Sequence, residues 1–225
     1  MTDRDTTALT PPRREGLDAL RLYRGASTPD TLDLSDNTNR FGVSPAAAAA
    51  LRAFDPTGIL RYPSAASDAL REAIAARVGV SPDEVVTGCG SDDVLDSALR
   101  AFGTPGARVA FPAPTFVMTP HFAIGNALEP VPVPPRPDGM PDLDALLEAR
   151  ADLVYLCSPN NPTGATLPEG ALERVLAGTR GLVILDEAYA EFADASRAAD
   201  APALGRVLVS RTFSKAHGLA GLRVG

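Results

Sequence analysis

Two short apolar runs, Leu153–Cys157 (LVYLC) and residues 182–185 (LVIL), constrain the fold of this chain more than any other feature. Neither alternates apolar with polar residues, so neither suits a strand with one wet face. Continuous runs of this kind belong to strands buried on both sides. Covering both faces takes helices, and residues 167–177, between the runs, have helical spacing. The alternation extends in both directions. Residues 84–87, 108–111, 127–133 and 207–209 read as strands; 92–102, 115–125 and 142–150 read as helices. Helix 92–102 is predicted to turn Val94, Leu95, Ala98, Leu99 and Phe102 inward. The expected class is α/β, a mostly parallel sheet flanked by helices in an α/β/α sandwich.

Local signals punctuate the rest. Residues 1–12 are polar and end in proline, an arm; 16–23 read as a short helix; 33–42 (DLSDNTNRFG) are rich in turn residues. Ser44-Pro45 opens a helix over 46–54, since proline is favoured at the first helical position. Arg61 precedes Tyr62-Pro63 in an extended stretch, and 67–78 form a helix. The Pro-rich residues 130–141 fit an edge strand or a connector, because proline cannot serve a central strand. The division predicted is an N-terminal arm, 1–35, and one large domain, 36–225.

Composition excludes several partners. The net charge is −7 and no Lys/Arg run reverses it locally, which argues against nucleic acid. Cys89 and Cys157 read as reduced thiols rather than a disulfide framework. His121 and His217, the only histidines, lack cysteine partners at ligand spacing, so no metal is expected. No apolar run has transmembrane length and the start has no signal-type core, so a cytoplasmic protein without membrane contact is expected.

The chemistry concentrates near residues 207–225, VLVSRTFSKAHGLAGLRVG. Lys215 is the only lysine in the chain. At the mouth of a strand among small residues it reads either as a desolvated, nucleophilic amine or as a solvated lysine in a Gly-rich turn. Asp186 directly follows the second apolar run, placing a carboxylate at a strand's carboxyl end, where α/β sheets bind ligands. Residues 87–93 (TGCGSDD) precede an amphipathic helix and fit an anion site at its N-terminus, or plain N-capping by Ser91. Asp92 and Asp93 repel an anion there, so they must point away or be offset by Arg223. No G-x-G-x-x-G follows a first strand, which disfavours a dinucleotide-binding fold.

Three blocks in order, S-P-N-N-P-T-G (158–164), D-E-A-Y (186–189) and S-K (214–215) with an arginine eight residues on, resemble the fold-type-I aminotransferases that use pyridoxal 5'-phosphate. The likeness is strongest to the histidinol-phosphate aminotransferase group and runs from about Asp33 to the last residue. It implies the large domain of that fold, with Lys215 as Schiff-base residue and proton shuttle and Asp186 on the ring nitrogen. Asn161 and Tyr189 would hold the ring's phenolic oxygen. Gly90, Ser91 and Asp92 would bind the phosphate through their main chains, with Thr212, Ser214 and Arg223. Phe116 would stack on the ring. Asn161 also reads as a turn residue, and Phe116 as a core phenylalanine. Tyr62 matches a tyrosine that reaches the neighbouring subunit's cofactor, which implies a homodimer with shared sites. Asn37 and Tyr23 would lie near the amino-acid and keto substrates.

Other expectations come with the resemblance. His217 belongs to packing, and Glu187, facing away from Asp186 along a strand, to structure. Relatives continue past the G-L-R-x-G block into an antiparallel strand between the first and sixth strands, then a small C-terminal domain. The chain therefore reads as part of a longer protein or a degenerate copy. A decarboxylase of a phosphorylated amino acid, or a non-catalytic chain that binds the cofactor, are the alternative readings.

Overall fold

The computed structural model describes residues 16, 17, 20, 34–193 and 196–225; Tyr23 and most of the arm lie outside the described residues. Five strands form one sheet: β1 (Arg108–Pro112), β2 (Glu129–Val133), β3 (Leu153–Cys157), β4 (Leu182–Asp186) and β5 (Val207–Ser210). Their order is β2-β1-β3-β4-β5, and every pairing is parallel. Helices α1 (Pro45–Arg52), α2 (Asp68–Val78) and α3 (Ser91–Phe102) precede the sheet. Between strands come α4 (Met118–Gly125), α5 (Leu143–Glu148), α6 (Ala171–Gly178) and α7 (Ala201–Leu204).

The period-two geometry of a strand sorts the core into two layers. Val109, Phe111, Leu153, Tyr155, Cys157 and Ile184 share one face with Leu95, Ala98 and Leu99 of α3 and Ala123 of α4. Ala110, Val154, Leu156, Val183 and Leu185 share the other with Leu143 and Leu146 of α5 and Leu172 and Val175 of α6. Each fully buried Leu or Val contributes about 1.5–3 kcal/mol of transfer free energy. Both strand runs read from the sequence are therefore buried on both faces because helices cover both.

The prolines explain the sheet's limit. Pro130 and Pro132 sit in β2, at the edge, opposite Val109 and Phe111 of β1. Residues 130 and 132 share one side of the strand, so their missing N–H groups fall on the side without a neighbour. The inward ladder is carried by their companions, as in the Glu129 N–H to Ala107 carbonyl bond of 2.9 Å.

Two sequence expectations are corrected. Residues 84–87 do not form a strand. Pro82–Glu84 make a 3-10 turn closed by a Ser81/Glu84 capping box, and the next residues meet β structure only at one antiparallel bridge, Cys89 to Val224. A strand is a pairing rather than a propensity, and the apolar Val85-Val86 pair has no adjacent strand among the described residues. Phe102 is 61% exposed instead of inward. It is the last residue of α3, and Leu128 already packs at that end: a Cβ on Gly103 would lie 2.7 Å from Leu128.

Candidate active site

The parallel register puts three strand ends side by side: Cys157 pairs with Asp186, and Asp186 with Ser210. Asp186 is the centre of this line and only 3% exposed. Its Oδ2 accepts a hydrogen bond from the Tyr155 hydroxyl at 2.8 Å, and its Oδ1 accepts from the Ala188 N–H at 3.2 Å. Burial lifts the carboxyl to about 6, against the pull of those two hydrogen bonds; the nearby charges of Asp92 and Glu187 add to the lift. Burial likewise raises the Cys157 thiol to about 12, with the Asp186 charge contributing. It is an inert neighbour rather than a nucleophile.

Lys215 lies in the loop after β5. That loop is folded by its hydroxyls: the buried Thr212 Oγ1 accepts from the Ser214 N–H at 3.1 Å. The Lys215 amine is half-buried, donates to the Asp36 carbonyl at 2.6 Å, and stands 6.0 Å from the Tyr189 ring centre. Burial holds its pKa below the ordinary lysine value, while the charges of Asp36, Asp92 and Asp186 pull upward and Arg223 downward. The Tyr189 hydroxyl accepts from the Asn37 amide at 2.9 Å. Asn39 donates to the Ala216 carbonyl at 2.8 Å. Residues 36–39 thus lie across the lysine loop, bringing Asn37 to the group.

The start of α3 completes the arrangement. Its N-cap is Gly90, at φ +82°, with no side-chain cap, so Ser91 is the first helical residue and does not cap it. A Cβ on Gly90 would stand 2.5 Å from Arg223 Nη2, and the positive φ is one that glycine adopts without strain. Arg223 Nη2 approaches Asp92 Oδ2 at 3.5 Å and donates to the Cys89 carbonyl at 3.4 Å. Asp93 turns back to accept from the Cys89 N–H at 2.9 Å. Of the two acids at this helix start, Asp92 is offset by Arg223, while Asp93 is held against the loop backbone at Cys89.

The remaining candidates are more scattered. Asn161 follows the end of β3, and its carboxamide carries no hydrogen bond among the described residues. Its neighbour Asn160 instead ties the two loops together, through the Pro114 carbonyl at 3.0 Å and the Thr115 hydroxyl at 2.8 Å. Phe116 is half-buried against the α3-side core. Tyr62 is 101% exposed and touches none of the others. Tyr23 lies outside the described residues. His217 packs on Phe213 and faces Glu191, and Glu187 accepts from the Arg197 N–H at 2.7 Å, both as expected of packing and structural residues. Among the described residues no group of side chains fits a metal ion, and no helix is long and apolar enough to cross a membrane.

Sequence reasoning missed Tyr155, the Asp36 carbonyl and Asn39. A signal existed for the first: period two puts residues 153, 155 and 157 on the face of 184 and 186. The other two contacts span 179 and 177 residues of chain, and no local pattern encodes them.

The chain belongs to the family described as aminotransferase class I and II, whose model matches residues 29–225. It is 40% identical over 222 residues to the histidinol-phosphate aminotransferase of Ruegeria pomeroyi, covering 93% of this chain and 61% of that one. It is 40% identical over 203 residues to that of Bacillus subtilis, covering 85% and 56%. The crystal structure of histidinol-phosphate aminotransferase from Sinorhizobium meliloti in complex with pyridoxal-5'-phosphate matches with a TM-score of 0.74 at 32% identity, over 84% of this chain and 53% of that one. An aspartate aminotransferase from Thermus thermophilus matches with a TM-score of 0.75 at 25% identity, over 84% of this chain and 54% of that one. The chain spans little more than half the length of these relatives. Its sheet and flanking helices are those of the fold-type-I large domain.

Proposed function

We propose that the chain, residues 36–225 with an arm before them, is the cofactor-binding large domain of a pyridoxal 5'-phosphate-dependent aminotransferase. The whole protein moves an amino group between an amino acid and a keto substrate of the histidinol-phosphate kind. The observation that carries this reading is the half-buried amine of the chain's only lysine, beside Tyr189 and under the influence of the buried Asp186.

The donor set fits the cofactor. Asp186 is a buried carboxyl with one hydroxyl donor, suited to holding a proton on a pyridine nitrogen. The glycine cap of α3 leaves the first-turn N–H groups of Ser91 and Asp92 without a side-chain cap, while the Gly90 N–H donates to the Gly88 carbonyl at 2.8 Å. Arg223 stands at that point, and a phosphate there is favoured by the helix end. Thr212 and Ser214 are the neighbouring hydroxyls. Asn161 and Tyr189 are the donors for the ring's phenolic oxygen, and Phe116 the aromatic for its face. When bound, the cofactor supplies an electrophilic aldehyde and a ring that spreads carbanion charge. The chain supplies the rest. Lys215, its amine made less basic by burial, would be the residue that holds the cofactor's aldehyde, and its Nζ would move a proton to and from the substrate. Asn37 and Tyr23 orient the substrate.

The exposed apolar side chains of Phe41, Ile59, Leu60 and Tyr62 support a second copy of the chain as their cover, with Tyr62 reaching the partner's phosphate. Small-molecule substrates, no nucleic acid, no membrane and a cytoplasmic location complete the reading.

The test is direct. Adding pyridoxal 5'-phosphate to the full-length protein and reducing with borohydride is expected to fix the cofactor on Lys215, located by peptide mass. Lys215→Ala is expected to abolish it entirely. Unmodified Lys215 in the wild type overturns the reading.

A further inference from the structure

One charged cluster is not used by the site, although it encloses the lysine loop. Its centre is Glu191, in the 3-10 turn Ala190–Phe192 just after Tyr189. A single oxygen, Glu191 Oε1, accepts from Arg211 Nη2 at 2.6 Å and faces His217 Nε2 at 3.3 Å. Arg211 precedes Lys215 by four residues and His217 follows it by two. One carboxylate therefore grips the loop on both sides of the amine and binds it to the turn that carries Tyr189.

The rest of the cluster leaves little to take its place. Glu187 Oε2 is 3.6 Å from Arg211 Nη1, and Glu187 is engaged by the Ser196 hydroxyl and the Arg197 N–H. Ser196 Oγ accepts from Arg211 Nη1 at 3.1 Å. Arg211 Nε is buried without a partner among the described residues. Phe213 packs against the His217 ring, at 5.1 Å between centres. Burial is the largest single influence and works against the Glu191 charge, yet the Arg211 hydrogen bond and charge, a backbone hydrogen bond and the charge of His217 together hold the carboxyl below the usual range. Losing that charge leaves the partly buried Arg211 with only the more distant Glu187 carboxylate, at 3.6 Å, and removes the tie between its side of the loop and His217.

We propose that Glu191 is a positioning residue for the Lys215 amine, clamping both flanks of its loop to the Tyr189 turn through Arg211 and His217. The proposal rests on the reading of Lys215 as the cofactor-linked lysine. A misplaced amine changes both how fast it condenses with an aldehyde and how the linked nitrogen holds its proton.

The experiment compares full-length wild type, Glu191→Gln and Glu173→Gln. The last cuts an ion pair with Arg197 of 2.7 Å, on α6 and away from the loop. Each is reconstituted with pyridoxal 5'-phosphate. Three quantities are read: the rate of borohydride-fixed label on Lys215, the pH midpoint of the visible band of the linked cofactor, and the cofactor-free melting temperature. Glu191→Gln is expected to slow labelling on the order of tenfold and to shift the midpoint by about one pH unit. Glu173→Gln is expected to do neither. A Glu191→Gln protein that melts lower but labels and titrates like wild type has lost only a structural tie, and the proposal falls. It falls equally if Glu173→Gln reproduces the change. If Glu191→Gln does not fold, His217→Asn, which removes one of the two holds, is read by the same criteria. A wild type that shows no band and no label overturns the function and this proposal together; a labelled wild type with an indifferent Glu191→Gln overturns the proposal alone.

Discussion

Strands β3 and β4 and the segment at 34–63 use the same kinds of apolar residue in opposite ways. In β3 all five side chains are buried, because α3 and α4 cover one face and α5 and α6 the other. Ahead of the sheet, α1 buries no residue, and Phe41, Ile59, Leu60 and Tyr62 stand in solvent. The first region completes itself within the chain. The second touches it chiefly through residues 36–42 on the lysine loop, where a Cβ on Gly218 would meet the Gly42 carbonyl at 2.8 Å. The contrast separates what holds the fold from what remains available for assembly, and places the candidate site on the seam between them.

The largest effect belongs to the self-contained region. Leu156 is fully buried between β3 and the α5/α6 layer. Leu156→Ala is expected to cost about 3 kcal/mol in chemical denaturation, from lost transfer energy plus the cavity left. A loss below about 1 kcal/mol means the layer collapses onto the gap, and the contrast with 34–63 is weaker than it looks.

A smaller effect, opposite in sign, tests whether the core stores strain for function. The Asp186 carboxyl sits at about 6 in the folded chain against an ordinary aspartate value of 3.8. The folded state holds this proton more tightly than the unfolded state does. Its contribution to stability is therefore full below the unfolded value, is lost as pH rises through the folded value, and stays lost above it. The cost at pH 8 is about 3 kcal/mol at most. Asp186→Asn keeps an acceptor for Tyr155 and removes the charge. It is expected to stabilise the cofactor-free chain at pH 8, hardly at all at pH 4, and to weaken the binding of pyridoxal 5'-phosphate. Parallel pH–stability curves for the two proteins defeat the argument.

How far the sequence carried the fold depends on the same division. The runs at 153–157 and 182–185 were legible because burial on two faces leaves a continuous apolar signature, and the helices because their stripes face one layer each. The edge position of β2 could be read from Pro130 and Pro132. Residues 84–87 could not be read correctly, since a strand needs a neighbour and apolar residues do not supply one. Phe102 misled for a related reason: spacing gives its direction, not the occupancy of the place it points to. In the candidate site, Lys215 and Asp186 stood out by residue type at the mouths of strands, and Arg223 by its spacing from Lys215. The Tyr155 bond to Asp186 and the Asp36 carbonyl on Lys215 depend on register and on a long-range return of the chain.

The smallest effect on stability is the one that sharpens the comparison most. Ile59 is 74% exposed in the turn Pro56–Leu60. Because the described chain covers little of it, Ile59→Ser removes little internal contact, and a dilute sample should keep its stability to within about 0.5 kcal/mol. The same substitution takes an apolar side chain out of the surface proposed to meet a second copy, so self-association should weaken. Sedimentation over a concentration series is the measurement. Weakened association at unchanged monomer stability is the expected result, since only a residue covered by another chain separates the two quantities. If Ile59→Ser instead destabilises the dilute chain as Leu156→Ala does, the segment is packed within its own chain and the two regions are not built on different plans. If neither quantity moves, some other surface joins the copies, and Tyr62 has no route to a partner's phosphate.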